Sequence, residues 1–177
     1  MNGKIHRAAE RRFAPWKNGG GETAEVICHP AGAGFEDFQW RISTAKVGGS
    51  GPFSVFPGID RVLTVLEGGA MVLRFEDGSV IETDPESGPH PFDGGLACDA
   101  ELPGEGLLDL NLMVRAPLRG VVLQPGEPVP GAAVLGAYLF AREDRAELGL
   151  GRYDLVELDG APEAVPDGCL LILILEK

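Results

Sequence analysis

The chain has 177 residues, 44% of them hydrophobic, and a formal net charge of −12. That is enough length for one well-cored domain or two small fused lobes. The acidity argues against a nucleic-acid footprint and against an anionic membrane surface, since both demand basic residues.

Glycine (26) and proline (14) are scattered through the chain. They interrupt short runs rich in Val, Ile, Leu and Phe, the pattern of many strands joined by turns. The first twelve residues are polar and carry no apolar signal-peptide core. In chain order the predicted strands are 23–29, 38–47, 61–66, 70–75, 79–83, 107–115, 120–123, 132–141, 153–158 and 169–176. Glu76-Asp77-Gly78-Ser79 predicts a tight hairpin turn, with Asp-Gly supplying positive φ. The best helical signal is a turn or two over 141–148. Strand 107–115 alternates strictly: Leu108, Leu110, Leu112 and Val114 share one side, and Asp109, Asn111, Met113 and Arg115 the other. The polar side faces either solvent or a ligand cavity. Strand 38–47 alternates in the same way, with Trp40, Ile42 and Thr44 against Arg41, Ser43 and Ala45. The longest apolar run, Leu170 to Leu175, is too short to cross a bilayer.

Three features carry possible chemistry. Trp16-Lys17-Asn18-Gly19-Gly20-Gly21 is no phosphate loop, because the lysine precedes the glycines and a strand follows. Its glycines allow backbone N–H groups to turn toward a ligand or another strand to pass close. Arg41 and Arg61 lie at or inside apolar strands. A guanidinium keeps its charge, so a buried one needs a carboxylate or an anionic ligand. The alternative is a structural pair with Asp60, Glu67 or Asp109, or an outward-facing side chain. Metal chemistry has little support: His6, His29 and His90 are isolated, with no HxH or HxxxH spacing. No GxSxG elbow and no cofactor motif is present. Cys28, Cys98 and Cys169 contain no CxxC pair and fit reduced thiols in a cytoplasmic protein. Acidic neighbours of Cys98 raise its thiol pKa and make it less reactive.

The ordered blocks Pro15–Gly21 with Thr23 and Glu25, Trp40–Ser43, Gly51–Ser54 with Phe56–Gly58 and Asp60-Arg61, Pro89–Gly94, and Asp109–Arg115 together resemble the HutD/Ves family. The resemblance covers about Phe13 to Arg115. It implies an all-β bicupin fold, two linked jelly-roll-type β-barrels within one compact 1–177 unit, with a divide near 116–125. It also implies an association with bacterial histidine utilisation, in which members bind a pathway metabolite such as urocanate or formylglutamate and restrain flux. No established reaction comes with the family, and the metal histidines usual in cupins are missing from 56–68.

The combined expectation is a cytoplasmic, metal-free and cofactor-free protein that binds a small carboxylate-bearing metabolite and regulates by occupancy. Arg61 and Arg41 engage the carboxylate in fork geometry. Asn18, Ser43 and Asn111 supply directional hydrogen bonds, and Trp16 and Phe53 wall the pocket. Paired sheet edges would make a homodimer. The rival expectation is a metal-independent isomerase or lyase acting on a small organic acid, with Asp109 or Glu25 as general base. A third is a filled, partner-binding module in which both arginines are paired internally.

Overall fold

The computed structural model describes residues 3–176. Its strands are β1 (Ile5–His6), β2 (Ala14–Pro15), β3 (Gly21–His29), β4 (Trp40–Val47), β5 (Gly51–Phe53), β6 (Ile59–Gly68), β7 (Met71–Phe75), β8 (Val80–Thr83), β9 (His90–Asp93), β10 (Cys98–Glu101), β11 (Leu107–Arg115), β12 (Arg119–Leu123), β13 (Val134–Ala141), β14 (Leu155–Leu158) and β15 (Cys169–Leu175). All ten strands expected from the sequence form, with ends within two residues. The helical signal over 141–148 reduces to a 3₁₀ turn at Ala146–Leu148. No helix among the described residues is long and apolar enough to cross a membrane.

The chain forms two compact units. One is Arg12–Ala116; the other joins the residues up to Arg11 with those from Pro117 onward. In the first, a six-stranded sheet ordered β2-β3-β4-β11-β6-β9 faces a four-stranded sheet ordered β5-β10-β7-β8. Ala45, Val47, Leu63, Val65 and Leu107 of the larger sheet meet Met71, Leu73, Phe75, Cys98 and Ala100 of the smaller in one core. The β7–β8 hairpin turns at Gly78, whose φ of 88° is open to glycine at no steric cost. Asp77 Oδ1 braces that turn by accepting from the Ser79 N–H at 2.9 Å.

The second unit holds a five-stranded sheet ordered β1-β14-β13-β15-β12. All seven residues of β15 are buried, which explains why this strand reads as an uninterrupted apolar run. Asp154 fastens the N-terminal segment to this unit. It is buried and accepts from the Ala8 N–H at 2.7 Å, the Gly151 N–H at 2.9 Å and Arg7 Nη1 at 2.6 Å. Burial pushes the Asp154 carboxyl up, but the Ala8, Arg7 and Gly151 bonds together hold it below its ordinary value.

The expected pair of jelly-roll barrels does not form. The chain is almost wholly β, but it makes three separate open sheets, none of which closes on itself. Three of the four outermost strands of the Arg12–Ala116 unit give a physical reason there. β2 is two residues long and ends in Pro15, β9 contains Pro91 and β5 contains Pro52. Proline has no N–H to pass a ladder onward, so it belongs at sheet edges.

Candidate functional site

The site lies on the inner face of the six-stranded sheet. β4 and β11 pair so that Ala45 faces Asp109, Ser43 faces Asn111 and Arg41 faces Met113; β11 and β6 set Met113 beside Arg61 and Asn111 beside Leu63. Ala45, Leu63 and Val65 on that face pack beneath the four-stranded sheet. Further along the same strands the face becomes polar. Arg41, Ser43, Arg61, Asp109 and Asn111 line a cavity of about 710 Å³, with Met113 among them and Trp16, Lys17, Asn18, Phe35, Phe53 and Phe56 around the rest. All seven residues singled out from the sequence therefore meet at one cavity. Both sides of β11 are buried, so its alternation does not divide core from solvent.

Arg61 is the central group. It is 7% exposed, and three rings surround its guanidinium: Phe53, Phe56 and Phe92, with centroids 5.6, 5.7 and 5.1 Å away. Such rings attract a cation but do not neutralise it. Its Nε–H donates to Asn111 Oδ1 at 3.3 Å. Among the described residues no carboxylate lies within 4 Å of it. Burial lowers its pKa to about 10, while Asp109 pulls the other way, so the guanidinium is still charged at neutral pH. Gly94 explains part of the Pro89–Gly94 block: a Cβ there would fall 2.6 Å from the Ile59 carbonyl oxygen and 2.9 Å from Arg61 Cδ.

Arg41 differs from Arg61. Its Nε–H donates to Glu25 Oε2 at 3.1 Å and its guanidinium sits 5.1 Å from the Phe35 ring centroid. Arg41 is thus ion-paired within the chain, and with Glu25 rather than with Asp60, Glu67 or Asp109. Glu25, one of the two carboxylates considered as a base, is occupied by that pair. Ser43 is buried, with its Oγ 3.5 Å from Arg41 Nη1.

The loop before β3 is held by its own bonds. The Trp16 N–H donates to the Gly21 carbonyl, the Gly20 N–H donates to Asn18 Oδ1, and Trp16 Nε1 donates to Thr23 Oγ1 at 2.7 Å. Gly21 is required by close approach, because a Cβ would come within 2.5 Å of the Lys46 carbonyl oxygen. Asn18, which also lines the cavity, spends its carbonyl oxygen on this loop. Trp16 meets Phe53 edge-on at 6.2 Å.

Asp109 is the other buried charge-bearing group here. It is 1% exposed, and its Oδ1 has no hydrogen-bond partner. Burial pushes its carboxyl up to about 7, against the pull of Arg61 and the Ala45 backbone N–H. Burial likewise pushes the Cys98 thiol up to about 11, despite Arg61, with Asp99 adding to the rise. No cluster of His, Cys, Asp and Glu among the described residues could hold a metal ion.

The sequence reading missed the aromatic surround completed by Phe56 and Phe92, and the place of Phe35 at the mouth. Phe35 is more than half exposed and stacks on Phe56 at 5.6 Å. Arg115 holds that segment, donating to the Phe38 and Phe35 carbonyl oxygens at 2.9 and 3.1 Å. A second, more open depression of about 780 Å³ runs along Gly19–Gly21, Gly48, Gly49, Gly68 and Gly106. Glu22 and Lys46 beside it are paired at 2.8 Å, so it lacks the unsatisfied charge of the arginine cavity.

Comparison with known proteins agrees with the resemblance in the sequence. The HutD family profile matches residues 8–153. An uncharacterized 21.2 kDa protein from the hutC 3' region of Pseudomonas putida is 33% identical over 175 residues, covering 90% of this chain and 88% of that one. Protein Ves of Citrobacter koseri is 42% identical over 101 residues, covering 56% of this chain and 51% of its own. The chain thus spans about half the length of the Ves relatives. HutD from Pseudomonas fluorescens SBW25, solved in a formate condition, superposes with a TM-score of 0.81 at 29% identity, covering 98% of each chain. A conserved protein of unknown function from Pseudomonas aeruginosa PAO1 gives 0.72 at 27% identity, covering 99% of this chain and 98% of its own. Matched over most of its length in both sequence and fold, this chain belongs to the HutD family.

Proposed function

We propose that this chain binds a small carboxylate-bearing metabolite in the arginine cavity and acts by occupancy in the regulation of histidine utilisation. One observation carries the reading. Arg61 is a buried cation with no carboxylate within 4 Å among the described residues, and it borders a cavity of about 710 Å³. Burying a charge without a partner is costly, and a ligand carboxylate supplies the partner in bidentate geometry. Ser43, Asn111 and the Asn18 amide add directional contacts, while Trp16, Phe53 and Phe56 exclude water. The Pseudomonas putida relative, named for the hutC 3' region, supports the pathway. Urocanate and formylglutamate are the ligands to try first. The three cysteines are free, buried thiols, which favours a reducing, cytoplasmic setting.

Calorimetric titration of both compounds, paired with thermal shift, tests this reading, because a ligand selective for the folded state raises Tm. Failure of both to bind would remove the assignment of these ligands.

Asp109 favours a second reading, a metal-independent isomerase or lyase acting on a small organic acid. It is a buried carboxyl bordering the same cavity as the arginines, which a general base requires. Incubation with either compound, followed by NMR for a new product, separates turnover from binding.

A further inference from the structure

We propose that Asp109 is a ligand-contacting residue that takes up one proton when a carboxylate docks on Arg61, and donates that proton as a hydrogen bond to the bound anion. The proposal rests on the reading of the cavity as a carboxylate site and adds a second contact and a proton to it.

The geometry supplies three observations. Asp109 and Arg61 border one cavity. Asp109 is 1% exposed, and its Oδ1 has no hydrogen-bond partner. Asn111, two residues along the same face of β11, touches the Arg61 guanidinium. A buried oxygen without a partner is rare in a folded protein and calls for an explanation. A ligand oxygen brought in by Arg61 provides one.

Electrostatics decides the form of the contact. Arg61 on β6 is the charged group that acts on Asp109; Arg41 on β4 and Lys17 in the loop before β3 border the same cavity, and the Cys98 thiol on β10 interacts with Arg61. Arg41 is already tied to Glu25, so Arg61 is the principal charge that makes an ionised Asp109 tolerable. An incoming carboxylate claims that guanidinium and adds a second negative charge beside Asp109. Two carboxylates sharing one site cannot both stay ionised at little cost; one of them takes a proton. A proton on Asp109 removes the repulsion and turns its oxygen into a donor for the ligand. Burial already holds the Asp109 carboxyl near neutrality, so little further rise is needed.

The sign follows. Well below about pH 7 Asp109 is protonated before the ligand arrives, so binding takes up almost no proton. Above that pH the proton must come from solvent, and affinity falls as pH rises.

The test is titration calorimetry with formylglutamate and with acetate, whose carboxylates are predominantly ionised over pH 5.5–8.5. Each titration is repeated in buffers of different ionisation heat. The expected result is uptake approaching one proton per ligand near pH 8 and close to zero at pH 5.5, with Kd rising up to about tenfold per pH unit above neutrality. In Asp109→Asn, binding is expected to persist with a Kd flat in pH and no proton uptake. Wild-type binding at pH 8 with no buffer-dependent heat overturns the proposal, and so does uptake that persists in Asp109→Asn. Absence of binding by either carboxylate is a different result: it overturns the carboxylate-site reading and this proposal with it.

Discussion

Replacing Asp109 by Asn in the ligand-free protein should make stability less dependent on pH, and the size of the effect follows from burial. The folded carboxyl titrates at about 7 against an ordinary 3.8. A folded-state pKa above the unfolded one means that the unfolded state gives up its proton first as pH rises. Stability present below about pH 4 is therefore lost as pH climbs toward 7, at about 1.4 kcal/mol per pH unit. Over that window the wild-type chain should lose about 4 kcal/mol through Asp109, a large share of a typical folding free energy. Asparagine has no proton to lose, so the variant's stability minus that of wild type should rise by about the same amount between pH 4 and pH 8. His90, whose pKa is lowered by burial against the pull of Asp84, titrates in both proteins and cancels. Asp77, Asp84 and Asp154 are held below their ordinary values, so their contributions lie at more acid pH and cancel too. The assay is urea unfolding in steps from pH 4 to pH 8.5, read by Trp16 and Trp40, the chain's two tryptophans, both in the Arg12–Ala116 unit. A flat difference curve would mean that water or a rearranged Arg61 solvates the carboxylate, and the burial argument would fail.

Further outcomes are expected. Arg61→Ala should weaken carboxylate binding by about 2–4 kcal/mol, the cost of removing one side of a desolvated charge pair, and calorimetry that finds unchanged affinity would make Arg61 structural. Arg61→Lys should recover only part of the loss, because an ammonium lacks the planar fork. Asp154→Ala strips acceptors from the Ala8 N–H, the Gly151 N–H and Arg7. It should cost about 2–4 kcal/mol and speed proteolysis near Arg11 and Arg12; a digestion rate equal to wild type would refute that role. EDTA should leave Tm unchanged, since no candidate metal cluster exists among the described residues, and a fall in Tm would contradict this.

The sequence was most legible in the central strands. β4 and β11 announce themselves by alternation and β15 by an unbroken apolar run, because packing on one or both faces dictates every position. The five strands missed, β1, β2, β5, β9 and β10, are two to four residues long. Several carry proline or charge, as edge and short strands do to avoid further pairing. The closed barrels were implied by the family resemblance alone, and β5 and β10, which join the β7–β8 hairpin in an open sheet, are too short to correct it from sequence. Cys98-Asp99-Ala100-Glu101 does alternate buried and exposed, but four residues of this composition give too little signal to separate a strand from a loop.

The lining of the cavity was legible in the sequence more than its wiring. Arg41, Arg61, Ser43 and Asn111 could be placed on inner faces because period two fixes the side of each strand once its neighbours are known. Which arginine is free could not be read in the same way. Arg41 meets Glu25 across β3 and β4, where the register shifts between Glu25 and Ile27, and a bulge re-aims side chains in a manner that spacing alone does not encode. The two arginines look equivalent in sequence, yet one has its carboxylate at 3.1 Å and the other has three aromatic rings and an amide oxygen. That asymmetry favours Arg61 over Arg41 in the proposed ligand contact. Arg41 is tied instead to Glu25, Ser43 and Phe35. Exchanging Glu25 for Gln should leave Arg41 without its charge partner and let it compete for the ligand carboxylate. Affinity should rise several-fold, and an unchanged or lower affinity in calorimetry would show that the Glu25 pair is part of the binding geometry itself.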